Sequence, residues 1–126
     1  MEKINLLAAW IGILAGLCSG VPLGLFFQNE SWLGGYDSWK RRLLRLGHIS
    51  FFGLAFLNLA FAATVSYLKL PIADIFWPSR LFIVAAVAMP SVCFLAAFNK
   101  SCRHLFFVPV LSLLGATGLL LVRGML

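Results

Sequence analysis

The sequence predicts an all-α integral membrane protein in which four transmembrane helices form one up-and-down bundle. Three observations predict it. Of the 126 residues, 62% are hydrophobic and only 11% are charged, against roughly a quarter charged in an average soluble chain. The apolar residues gather into four runs, each at or beyond the roughly 18 residues that mark a membrane span. None of the runs alternates apolar with polar, and a backbone in hydrocarbon must satisfy its own amides, so the spans are helices rather than barrel strands. Four spans of about 20 to 23 residues leave fewer than about 40 positions for termini and loops. A soluble catalytic, nucleotide-binding or nucleic-acid-binding domain needs at least about 50 residues and has no room here.

The first span is expected from about residue 5 to 27. Lys3 before an apolar stretch and Cys18 within it resemble a secretory leader superficially. Leu17 stands where cleavage before the cysteine would need a small residue, and the apolar run is too long for a leader, so a retained helix is expected. A polar segment, Gln28 to Arg42, follows and carries Trp32, Tyr36 and Trp39 as interfacial anchors.

The second span is expected over about 43 to 68, the third over about 81 to 98 and the fourth over about 105 to 122. Between the second and third, Pro71 and Pro78 bracket an apolar stretch, Ile72 to Trp77, which reads as a short element lying on the membrane surface. Tyr67 and Trp77 anchor that side.

Lysine and arginine counts set the expected orientation. Loops one and three, with the first turn of the second span, hold Lys40, Arg41, Arg42, Arg45, Lys100 and Arg103, and the other side holds Lys3, Lys69, Arg80 and Arg123. The excess places loops one and three in the cytoplasm and both termini outside, in a bacterial inner membrane. The net charge of +6 suits a collar near anionic lipid headgroups. No nucleic-acid partner is expected.

The most specific pattern lies in the first span, where Gly12, Gly16, Gly20 and Gly24 recur every fourth residue and Ala8 extends the row. On a helix they make one side-chain-free stripe that admits another backbone at close range. The stripe either packs against this chain's own second or fourth span or forms a docking groove for a neighbouring helix, quinone, pigment or lipid tail. Ser112, Gly115, Ala116 and Gly118 form a weaker small-residue group in the fourth span, so a tight contact between spans one and four is expected. Pro22, Pro90 and Pro109 withdraw helix bonds from the carbonyls of Cys18, Ala86 and Leu105, with kinks expected at the first two.

The second span carries the polar groups. Arg41, Arg45 and His48 share a face, and Asn58 lies about 15 Å deeper. Asn58 is expected to bond across helices, to Ser112 or Thr117, because polar groups at that depth face protein. Arg41, Arg42 and Arg45 are expected to snorkel to lipid headgroups, or else to meet a partner subunit or an anionic cofactor. His48 and His104 lie near the same membrane face, which makes ligation of haem b between facing helices the sharper alternative to ordinary structural histidines.

Cys18, Cys93 and Cys102 have no paired spacing and imply neither a disulfide framework nor a zinc site; Cys102, beside Lys100 and Arg103, is the only one with a charged setting. Glu2, Glu30, Asp37 and Asp74 are all terminal or in loops, so no carboxylate occupies the membrane interior where proton-coupled transporters usually need one. No hydrolytic or metal-dependent constellation is present, and no enzymatic activity is expected. Asn29-Glu30-Ser31 and Asn99-Lys100-Ser101 match the glycosylation tripeptide by chance-level patterns.

The expected function is therefore a non-catalytic accessory or assembly subunit of a larger membrane complex, partnered by other integral membrane subunits and lipids. Respiratory or photosynthetic electron-transfer complexes are the host class this points to. A small haem-binding electron carrier and a small homo-oligomeric channel or transporter, lined by Asn58 and proline-freed carbonyls, are the alternatives.

Overall fold

A computed structural model describes residues 1–126. Helices α1 (Glu2–Leu25), α2 (Trp39–Leu68), α3 (Ile72–Phe98) and α4 (Phe107–Leu120) run up and down. A 3-10 turn over Lys100–Phe106 leads into α4 and a π-helical turn over Leu121–Met125 ends it. Each helix, α4 taken with its flanking turns, is long and apolar enough to cross a membrane.

Two helix starts differ from the sequence expectation, for identifiable reasons. Ser38 caps α2, its Oγ accepting from the Arg41 N–H at 3.3 Å, so α2 begins at Trp39 rather than near 43. The Trp39 indole N–H then donates to the Ala96 carbonyl at 2.7 Å, tying the start of α2 to the end of α3. The segment Ile72 to Trp77 is no separate surface element but the first turns of α3. Pro71 stands at the cap in an extended conformation, where proline is well tolerated, and Asp74 offsets the positive end of the helix. Pro78 lies within the helix without ending it, and Ile75, Pro78, Ser79 and Phe82 form one buried face. Loop two is thereby reduced to residues 69 to 71, with Lys69 closing α2 in the left-handed region at φ 52°.

α2 and α3 are the central pair. α1 packs chiefly on α2 and touches α3, whereas α4 lies against α3. The expected contact between spans one and four is absent, because α3 receives the small residues of α4 instead. A methyl group placed on Gly115 would stand 3.4 Å from Leu81 Cδ1, while Gly118 faces open space.

Toward the side of the termini, Phe61, Val65, Ile75, Phe82 and Ala116 form the core, with the Phe61 and Phe82 rings 5.3 Å apart. Toward loops one and three, Leu43 packs on Ala96 and Ala97 under Trp39 and Phe106. Gly47 makes that crossing close: a methyl group there would come within 2.9 Å of the Phe94 ring and 3.1 Å of Cys93 Cβ. Pro22 and Pro90 sit inside unbroken helices. Pro109 belongs to the first turn of α4, where its missing N–H costs little.

Candidate functional site

The glycines of α1 decide how the bundle opens. A methyl group on Gly12 would meet Ala55 Cβ at 3.1 Å and the Phe51 carbonyl at 3.3 Å, one on Gly16 would meet the Phe52 ring at 2.7 Å, and one on Gly20 would meet His48 Cε1 at 2.9 Å. Three of the four glycines therefore seat α1 on this chain's own α2, and Gly24 faces open space. α1 is drawn onto α2 along this row and meets α3 near its own start, through Asn5.

Between these contacts α1 and α3 stand apart over a groove of about 390 Å³. Its floor is Phe51 and Ala55 of α2, and its walls include Leu7 and Ile11 of α1 and Ile83 and Val87 of α3. It runs beside Ile4 to Ala15, roughly 16 Å at 1.5 Å per residue. Leu7, Ile11 and Val87 are also exposed on the outer surface, so the groove opens sideways toward lipid. The one hydroxyl in the lining, Ser91 Oγ, donates to the Val87 carbonyl of its own helix at 2.7 Å. Volume and character match an apolar ligand or helix-docking site.

Below the groove lies a buried polar junction. Asn5 Nδ2 donates to Asn58 Oδ1 at 2.8 Å and to the Ser79 carbonyl at 3.2 Å. Ser79 Oγ donates back to Asn5 Oδ1 at 2.5 Å. Asn58 Nδ2 donates to the carbonyls of Leu54 at 2.9 Å and Phe82 at 3.3 Å. Asn58 thus bonds across helices, but to Asn5 and α3 rather than to Ser112 or Thr117. Ser112 donates to the Val108 carbonyl of its own helix at 2.8 Å, and Thr117 is exposed. Asn5 and Ser79 are the buried polar residues that sequence reasoning missed. Their signal was the period of three and four joining Ser79 to Ile75 and Phe82, together with an asparagine at the start of a span.

The arginines separate. Arg41 is only 3% exposed, and the snorkelling expectation fails for it. Its Nη1 donates to the Asn29 carbonyl at 3.0 Å and its Nη2 to the Phe27 carbonyl at 3.2 Å, both beyond the end of α1; the Asn29 carbonyl also accepts from the Trp32 N–H at 3.2 Å. The rings of Trp32 and Tyr36 each lie 5.4 Å from the guanidinium carbon. Arg45 Nη1 donates to the Tyr36 carbonyl at 3.0 Å, and its guanidinium stacks 4.0 Å from the Tyr36 ring. Arg42 is exposed. Loop one is consequently a folded cap: Asn29 Oδ1 accepts from Ser31 N–H and Oγ, and Leu33, Gly34 and Gly35 turn the chain at φ 54°, 88° and 102°.

Arg41→Ala removes the brace of this cap. About 2 kcal/mol of local stability is expected to go, less than two buried charged hydrogen bonds would carry, because water reaches the freed carbonyls. Limited proteolysis between Gln28 and Ser38 should become markedly faster while the rest of the bundle stays protected. Unchanged cleavage would show that the guanidinium holds nothing.

The structure does not bring His48 and His104 together. His48 faces α1, its Nδ1 within 3.0 Å of Ser19 Oγ and its ring edge-on to Phe52, whereas His104 is exposed in the turn before α4. α4 lies against α3 rather than α2, so the two imidazoles do not face each other across helices. Cys18, Cys93 and Cys102 are free thiols, and no three metal-ligating side chains converge. The chain matches no family model, no curated protein and no solved structure.

Proposed function

We propose that the chain is a non-catalytic accessory or assembly subunit of a larger membrane complex, and that a transmembrane helix of its neighbour docks in the groove between α1 and α3. The groove carries this reading. In lipid, apolar surface by itself drives no association, and helices join where small residues let backbones approach and dispersion contacts multiply. Ala8, Ala15, Ala55 and Ala86 supply that surface in one sideways-open concavity. The buried polar side chains are satisfied within the bundle, so the groove offers shape rather than chemistry to its occupant. A respiratory or photosynthetic electron-transfer complex of a bacterial inner membrane, with loops one and three cytoplasmic, is the host class we put forward.

A photo-crosslinking residue at Val87, on the groove wall, tests this in native membranes against one at Leu114, exposed on α4. One discrete adduct with a second membrane protein is expected from Val87 and none from Leu114. Adducts with lipid alone at both positions would refute the docking reading.

A further inference from the structure

We infer that the basic pocket where loop one meets α2 binds the phosphate of an anionic phospholipid. Lys40, Arg41, Arg42 and Arg45 occupy the first two turns of α2, whose first turn contains no acidic residue. A helix start already carries partial positive charge and favours anions, so four cations there leave an uncompensated field. The two guanidiniums that turn inward find only neutral partners: Arg41 bonds the Phe27 and Asn29 carbonyls and Arg45 the Tyr36 carbonyl. Glu30 and Asp37, the carboxylates of the same loop, are exposed and are not among those partners. Arg41 therefore brings a positive charge to 3% exposure with no counterion, which is costly in a low-dielectric setting.

A small cavity of about 50 Å³ opens between these groups, lined by Leu23, Phe27, Trp32, Tyr36, Arg41 and Arg45. One water needs about 10 to 15 Å³ of such space, so the cavity admits a group the size of a phosphate and nothing as large as a nucleotide. Guanidinium forks fit phosphate oxygens, and Arg45 has donors to spare beyond the one it spends on Tyr36. Leu23 and Phe27 form an apolar wall at the end of α1, where the lipid-facing row of Val21 and Leu25 stops. An anionic head beside an apolar wall at membrane-interface depth describes a phospholipid, not a free phosphate.

Native mass spectrometry of the delipidated chain in neutral detergent tests this with phosphatidylglycerol, phosphatidylcholine of the same acyl chains, and inorganic phosphate. Phosphatidylglycerol is expected to be retained at least about fivefold over phosphatidylcholine, the factor that roughly one basic side chain contributes at a membrane surface. Arg45→Ala should abolish that preference, and Arg45→Gln, which keeps a donor for the Tyr36 carbonyl, should do the same without disturbing the loop. Arg80→Ala, which removes an exposed cation on α3, should leave it intact. Equal retention of the two lipids, or a preference indifferent to both Arg45 variants, overturns the site. Displacement of phosphatidylglycerol by millimolar inorganic phosphate overturns the assignment to lipid.

Discussion

Gly16→Leu is expected to lift α1 from α2 and to cost about 3 kcal/mol of bundle stability, the upper part of the range for overpacking a close-packed interface. The β-carbon would stand 2.7 Å from the Phe52 ring, closer than real contacts come, so something must shift. If Phe52 turns away, it abandons its edge contact with His48; if α1 lifts, the Ser19 to His48 bond and the Asn5 to Asn58 bond lengthen together. Either route loses native contacts. Gly24→Leu provides the contrast within the same stripe, because nothing lies within 4 Å of its added carbon. It should be neutral or slightly stabilising, since leucine is the better helix former by roughly 0.5 to 1 kcal/mol. Unfolding free energies in bicelles would compare the two, and equal effects at residues 16 and 24 would contradict the packing described.

The second large effect is expected at the buried polar junction. Asn58→Ala deprives Asn5 of one of its two acceptors, removes the tie to the Phe82 carbonyl and leaves a small cavity, for a loss of about 2 kcal/mol. A single interhelical hydrogen bond in a membrane averages only about 0.6 kcal/mol and reaches about 1.7, so the cavity supplies much of the loss. A double-mutant cycle with Asn5→Ala should return an interaction of about 1 kcal/mol between residues 53 positions apart in sequence. The same cycle between Asn58 and Thr117 should return none, and the reverse pattern would place α4 where α1 stands.

Much of this architecture was legible in the residues. The length and continuity of the apolar runs required four helices. The four-residue spacing of glycine in α1 required a close neighbour, and the depth of Asn58 required a protein partner. Small residues, however, say that a helix comes close without saying which one, so the same signal supported a contact between α1 and α4 that the bundle does not make. Pro71 and Pro78 read as loop punctuation, yet Pro71 stands at the cap and α3 runs on through Pro78, so that the helix starts nine residues before the position expected.

The burial of Arg41 was hidden for a different reason. A long amphipathic side chain near an interface can reach water or fold inward. The choice depends on loop one wrapping back to offer the Phe27 and Asn29 carbonyls and two aromatic faces. The groove was legible only as one of two uses of the glycine stripe. The structure separates them: Gly12, Gly16 and Gly20 serve the chain's own packing, and the open surface lies beside that row, between α1 and α3.

If this open surface belongs to a neighbour, the native mass of the chain reports it. The chain extracted from its own membranes in mild detergent should migrate within a large complex, together with identifiable membrane proteins. The groove-filled variant Ala15→Leu with Ala86→Leu should fall to the mass of the 13.9 kDa chain and its micelle. A wild-type chain that runs alone, or only with copies of itself, would show that no neighbour occupies the groove.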